Sequence, residues 1–155
     1  MKKIPVSKLA FDKYTPGQHL PPPAEGNIAL FNQAVVAGVW NNNLVTVNYT
    51  PPCNCNLWVA LDIWMAHSVA NTDLIARVYE TLVYGTEVLF ARDVCPTANE
   101  WVGLTGVRLL RGLTKDTAYA FRLDINFGAN GNGQAFNDAR CTHLNIVPYA
   151  HPGIP

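Results

Sequence analysis

The chain is short of charge. Of its 155 residues only 14% are Asp, Glu, Lys or Arg, against about a quarter in an average globular protein. Acids and bases balance at 11 each, so no basic surplus recommends a nucleic acid as partner. Serine is nearly missing: Ser7 and Ser68 are the only ones, and neither lies in a G-x-S-x-G turn. H-E-x-x-H and Walker-type loops are absent as well, which removes the common metalloprotease and nucleotide-binding signatures. No apolar run reaches the roughly 18 residues that a membrane-spanning helix needs. After Lys2 and Lys3 come Pro5 and Ser7 rather than an apolar stretch, so no secretory leader is expected and synthesis in a cytoplasm is. No internal repeat is visible, which argues against a propeller or β-helix.

Cysteine is sparse. Cys53, Cys55, Cys95 and Cys141 allow three complete pairings, and a reducing compartment favours thiols over all of them. The Cys-x-Cys of "PPCNCN" lacks the C-x2–4-C spacing of structural zinc, and His67 and His143 stand far away in strand-like runs. No metal and no cofactor is expected.

What is present is alternation. In "NLWVALDIWMAH", Leu57, Val59, Leu61, Ile63 and Met65 share one face, and Trp58, Ala60, Asp62, Trp64 and Ala66 share the other. In "TAYAFRLDINF", Tyr119, Phe121, Leu123, Ile125 and Phe127 oppose Ala118, Ala120, Arg122, Asp124 and Asn126. Period two with one apolar face predicts strands with one side buried. "NIALF", "AVVAGVW", "LVTVNYT", "DLIARVYETLVY", "WVGLTGVRLLRG" and "RCTHLNIVPY" read as further strands. Gly103 and Gly106 predict a bulge or bend in an edge-like strand, and Asn41 to Asn43 a tight connection. Roughly eight strands with no convincing helix predict an all-β, jelly-roll-like β-sandwich over 28–155.

Trp58 and Trp64 share the face of Asp62, where a lone sandwich would show water-tolerant residues. Either a second layer of the same chain covers that face or it is an oligomer interface. Chemistry is harder to place. The carboxylates are scattered; a glycosidase-like pair such as Asp62 with Asp124 is an example to consider, and any β-sandwich offers such pairs. "GANGNGQA", Gly128 to Ala135, exposes backbone N–H groups. It has no following helix and no Lys, so it reads as a flexible loop before the last strand, or a loop touching a neighbouring subunit.

Residues 1–27 read as a separate arm. Four of the five lysines, Lys2, Lys3, Lys8 and Lys13, fall there with Asp12 and Glu25 as acids, and the rest of the chain is slightly acidic. Ile4, Val6, Leu9, Phe11, Tyr14 and Leu20 are its apolar side chains, too few to order it without added backbone pairing. Extended, the arm could reach ~90 Å at about 3.3 Å per residue. Pro21, Pro22 and Pro23 form a stiff hinge where it leaves the domain. It is expected to order on assembly.

A basic arm, the hinge "LPPPAEGNIALF" and a compact β-domain together resemble the capsid decoration (cement, or auxiliary head) proteins of long-tailed bacteriophages, including those of thermophilic hosts. "LTKDTAYAFRLDINFGANGNGQAFNDARCTHLNIVPY" resembles the closing strands of trimeric jelly rolls of the tumour-necrosis-factor and C1q type, with Leu113, Thr117 and Tyr119 leading into a long strand. The resemblance implies a non-enzymatic homotrimer on the virion's capsid surface that stabilises the shell. The major capsid protein would be its partner, with no nucleic acid and no membrane. Lys2, Lys3, Ile4, Val6, Lys8, Leu9, Phe11 and Tyr14 would make the arm's contacts, and Trp58 and Trp64 the subunit interface. The alternative is a carbohydrate- or receptor-binding module of a tail fibre or appendage, with Trp58, Trp64 or Trp101 stacking on sugars.

Overall fold

The computed structural model describes residues 24–26, 30–136 and 144–149. Ten strands account for most of them: β1 (Ala24–Gly26), β2 (Phe31–Val35), β3 (Asn41–Tyr49), β4 (Cys55–His67), β5 (Thr72–Glu80), β6 (Thr86–Cys95), β7 (Val102–Leu113), β8 (Tyr119–Phe127), β9 (Gly131–Phe136) and β10 (Leu144–Tyr149). There is no helix among the described residues. The arm residues Lys2 to Tyr14 and the hinge Pro21 to Pro23 lie outside them. Ala24–Gly26, at the end of the segment read as arm, form β1 and pair with β10.

All pairings are antiparallel and fall into two sheets. In the first, the long β4 is central, with β7 along one edge and both β10 and β9 along the other. β1 lies outside β10, and β2 lies outside β9. The second sheet runs β3-β8-β5-β6. This is a jelly-roll sandwich.

The core follows from the alternation. Leu57, Val59, Leu61, Ile63 and Met65 of β4 and Tyr119, Phe121, Leu123, Ile125 and Phe127 of β8 are buried between the sheets. Leu74, Ala76 and Val78 of β5, and Leu144 and Ile146 of β10, join them. Each Leu, Ile, Val, Met or Phe side chain among them contributes about 1.5–3 kcal/mol on leaving water, before the entropy of ordering is counted. In the Leu113–Tyr119 lead-in the Thr114 N–H donates to the Tyr119 hydroxyl at 2.9 Å, the Lys115 N–H to Asn54 Oδ1 at 2.8 Å and the Asp116 N–H to the Pro51 carbonyl at 2.8 Å. Asp116, in that turn, takes a left-handed φ of 56°.

Three local expectations are corrected. "GANGNGQA" is not a flexible loop, because Gly131–Phe136 is strand β9, paired with both β2 and β4. Its glycines provide clearance: a Cβ on Gly133 would stand 2.6 Å from the Phe127 ring, and one on Gly131 2.8 Å from the His67 ring. Asn41 to Asn43 do not connect strands but open β3, where Asn43 has φ 62° and the register shifts before Val45. The turn lies earlier, at Ala37–Gly38, with Gly38 at φ 73°. The β7 bulge is not at Gly103 or Gly106, since pairing runs unbroken from Leu57↔Leu110 to Met65↔Val102. It is at Arg111–Gly112, which oppose the single Asn56; Gly112 has φ 73° and donates its N–H to Asn56 Oδ1 at 3.1 Å.

Strand directions define two poles. Loops 36–40, 68–71, 96–101 and 128–130 gather at one, here the Asn71 pole. Loops 50–54, 81–85 and 114–118 gather at the other, the Tyr84 pole. β10 runs toward the Tyr84 pole, and β1, antiparallel to it, runs away from that pole.

Candidate interaction surface

The phase of β4 that buries Leu57 to Met65 turns Trp58, Ala60, Asp62 and Trp64 to the outside of the first sheet. Register sets their neighbours: Trp58 lies between Leu109 of β7 and Val147 of β10, and Ala60 between Val107 and Asn145. Trp58 and Trp64 are each 38% exposed, Val107 63% and Val147 39%. Six residues of extended chain separate the two indoles by about 20 Å. The face is therefore a mainly apolar strip with Asp62 as the acid of its central strand. Trp64 also has a local role, because its ring lies 3.7 Å from where a Cβ of the facing Gly103 would stand. It shields a glycine that leaves the strand without a side chain.

The outer face of the second sheet is built differently. Asp124 is fully buried and accepts from Arg122 Nε at 2.8 Å, Arg122 Nη2 at 3.0 Å, Arg77 Nε at 3.1 Å and the Asn43 N–H at 3.1 Å. The Arg77 guanidinium lies 3.9 Å from the Trp40 ring centroid and 5.4 Å from that of Tyr79, which Arg122 approaches at 5.3 Å. Trp40, Arg77, Tyr79 and Arg122 form a cation–π ladder around one carboxylate. The sequence reading missed this cluster. Its signal was Arg122 and Asp124 on the outward positions of β8, but only register shows that Arg77 faces Asp124.

Asp62 and Asp124 do not form a catalytic pair. They point outward from different sheets, on opposite surfaces of the sandwich, whereas glycosidase carboxylates flank one bond about 5–9.5 Å apart. Cys53 is half-buried beside the buried Cys55 in the Tyr84-pole loop and the start of β4. Burial, reinforced by the neighbouring Cys53 and opposed by a hydrogen bond with Tyr49, pushes the Cys55 thiol up to about 11. His67 is at the far end of β4, so the Cys-x-Cys and this histidine are not brought together. Cys141 and His143 lie outside the described residues. Trp101 lies immediately before β7 and is 38% exposed.

No protein-family model matches the chain, and no curated protein matches it. Solved structures do. The VP2 subviral particle of infectious bursal disease virus matches with TM-score 0.57 and 14% identity over 84% of this chain. VP2 in the T13 particle of the same virus matches with TM-score 0.55 and 13% identity over 85% of it. Eiger TNF from S. frugiperda matches with TM-score 0.52 and 11% identity over 86% of this chain and 95% of its own. The chain spans about a third of the length of the VP2 chains, 33% and 32%. At these identities the likeness establishes the fold, a jelly roll of the kind found in viral capsid and TNF proteins.

Proposed function

We propose that this chain is a capsid-associated structural protein that binds the outside of an assembled bacteriophage shell as a homotrimer and stabilises it. The observation that carries the reading is the first sheet's outer face, where Trp58, Trp64, Val107 and Val147 stand exposed on three neighbouring strands of one sheet. Exposed aromatics aligned along one strand of a sheet favour a contact between folded proteins. The jelly roll, shared with viral VP2, supports the same class of role. In this reading the Trp58 face joins copies of the chain, and the arm (Ile4, Val6, Leu9 and Phe11, with Lys2, Lys3 and Lys8) crosses to neighbouring shell subunits.

Native mass and shell binding test it together. The full chain is expected to be a trimer that sediments with assembled, expanded shells and not with free coat subunits. Val107→Lys with Trp58→Ser is expected to yield folded monomers. Deletion of residues 1–20 is expected to spare thermal unfolding and remove shell binding. A stable full-length monomer, or undiminished shell binding after the deletion, would overturn the reading.

The same tryptophans favour a second reading, a carbohydrate- or receptor-binding module. Two indoles about 20 Å apart suit an extended glycan better than one sugar ring. A glycan array giving binding that Trp58→Ala abolishes would select it.

A further inference from the structure

The outer face of the second sheet leaves hydrogen-bonding capacity unused at its centre. Register lays this face out in three rows across β8, β5 and β6. They read Arg122, Tyr79 and Glu87; then Asp124, Arg77 and Phe90; then Asn126, Ile75 and Arg92. Each oxygen of Asp124 accepts two hydrogen bonds, so this carboxylate is saturated. Arg77 is the opposite case. Its Nε donates to Asp124, but neither Nη has a hydrogen-bond partner among the described residues. The guanidinium rests against Trp40, and the side chain is only 19% exposed. A cation so largely shielded from water, with its outer N–H pairs free, gives up little hydration on meeting an anion.

Charge points the same way. Arg77 and Arg122 share the one carboxylate of Asp124, which leaves a positive charge uncompensated within the cluster. Arg92 is already paired with Asp73, and Glu87 stands exposed at the rim, diagonal to Arg77. Two further groups flank Arg77. Asn126 is 5% exposed, and its Oδ1 has no hydrogen-bond partner among the described residues, which is costly until something donates to it. Turning the carboxamide about χ2 exchanges its two ends and carries this acceptor toward the outer face. Phe90, directly across from Arg77, is 49% exposed.

Each group selects a different feature of a ligand. The free N–H pairs of Arg77 fit the two oxygens of a carboxylate. The Asn126 oxygen fits a hydroxyl donor, and the Phe90 ring fits an apolar C–H surface. From the strand spacing and rise, Asn126 and Phe90 stand about 12 Å apart at the backbone with Arg77 between them, the span of a disaccharide. We infer that this face binds an acidic glycan. A uronate- or sialate-type carboxylate sits on Arg77, a ring hydroxyl on Asn126 and a pyranose C–H face on Phe90. A run of acidic side chains would satisfy Arg77, but it has no ring to hold a hydroxyl and an apolar face at fixed offsets from the carboxylate. The site lies on the opposite surface from the Trp58 strip, so it stands apart from both readings of that strip and stays open when the strip is covered.

The test titrates the full chain with sialyllactose and with tetragalacturonate, using lactose as the neutral control and hexaglutamate as the acidic peptide. Calorimetry gives affinity, and NMR of the arginine side-chain N–H groups gives location. At least one acidic glycan is expected to bind at least about tenfold tighter than lactose and to shift the Arg77 signals. The two glycans distinguish a sialate from a uronate source. Phe90→Ser is expected to weaken binding about fivefold with the melting temperature unchanged, because the ring is exposed. Glu87→Gln is expected to tighten it about twofold at low salt by removing the rim acid. Arg77→Lys, which keeps the charge and loses the fork, is expected to weaken it at least about tenfold. Acidic glycans that bind no better than lactose overturn the site, as does binding that neither Phe90→Ser nor Glu87→Gln alters. Hexaglutamate that matches the better glycan overturns it in favour of an acidic peptide. Binding lost in Trp58→Ala and kept in Phe90→Ser overturns it in favour of the first sheet.

Discussion

The α-carbon of Gly133 lies against the ring of Phe127: a Cβ there would stand 2.6 Å from Phe127 Cε2 and 2.7 Å from Cζ. Phe127 is fully buried at the end of β8, and Gly133 sits on β9 of the opposite sheet. The approach of the two sheets at this point therefore depends on a missing methyl group. Gly133→Ala is expected to destabilise the domain by about 1–3 kcal/mol through overpacking. Phe127→Leu in the same chain should recover part of the loss, giving a non-additive cycle in denaturant unfolding. Additive effects would show that the contact is slack.

On the other surface, Asp124→Asn is expected to cost about 3–5 kcal/mol, because it leaves two guanidiniums converging on a neutral amide. Arg77 and Arg122 are only 19% and 22% exposed, so water replaces the lost carboxylate poorly. Asp73→Asn is the control. That residue pairs with Arg92 at 2.7 Å, but both are substantially exposed, at 33% and 57%, and the change should cost less than about 1 kcal/mol. Equal losses in the two variants would contradict the ladder's structural weight.

Much of this fold was legible in the sequence, for a physical reason. β4, β5, β8 and β10 each turn one apolar face to the core, and that imposes period two on the sequence. Leu57 to Met65 and Tyr119 to Phe127 therefore announced both core and direction, and the same phase put Trp58 and Trp64 outward. β6 was not expected because its phase changes midway. Val78 faces Leu89 and Tyr79 faces Glu87, so Val88 is an extra residue, and core positions switch parity around it. β9 was read as loop because Gly131 and Gly133 look like turn residues; their reason, clearance for His67 and Phe127, comes from residues distant in sequence. The Arg77–Asp124 contact was hidden likewise, since it depends on register between β5 and β8. Val107 and Val147 signalled the exposed strip only once β7 and β10 were known to flank β4.

The cysteines should differ in reactivity. Cys55 is buried and its thiol is pushed up to about 11, so little thiolate forms near neutrality. Cys95 is fully buried, with Sγ 3.0 Å from the Thr97 carbonyl. Cys53 is more accessible than either. Brief iodoacetamide treatment of the native protein should alkylate Cys53 well before Cys55 and Cys95, read by peptide mass spectrometry. Modification of Cys55 or Cys95 at a comparable rate would mean that the Cys55 end or the Cys95 end of the sandwich opens readily.

Acid should destabilise the domain in two stages. His67 is fully buried, its Nδ1 accepting the Val69 N–H at 3.1 Å and its ring 5.4 Å from that of Phe127. Burial pushes its pKa below the ordinary 6.5. The folded state therefore holds it neutral while the unfolded chain takes up a proton first. By linkage its contribution is complete above about 6.5 and is lost as pH falls from there through the lowered folded value. Glu80 acts lower on the scale. Burial alone would raise its carboxyl, but the N–H bonds from Tyr84, Ala120, Leu82 and Val83 outweigh that and hold it below 4.5. Its contribution is complete above about 4.5 and is lost as pH falls through its own folded value. Melting temperatures of the wild type should thus decline first below about pH 6.5 and again below about pH 4.5. His67→Gln, which keeps an acceptor for Val69, should lower stability at neutral pH and flatten the first decline. Glu80→Gln should flatten the second and leave the first in place. A wild type with no loss between about pH 6.5 and pH 4.5 would show that His67 reaches water before it titrates, because a histidine held neutral in the fold must make stability pH-dependent in that window.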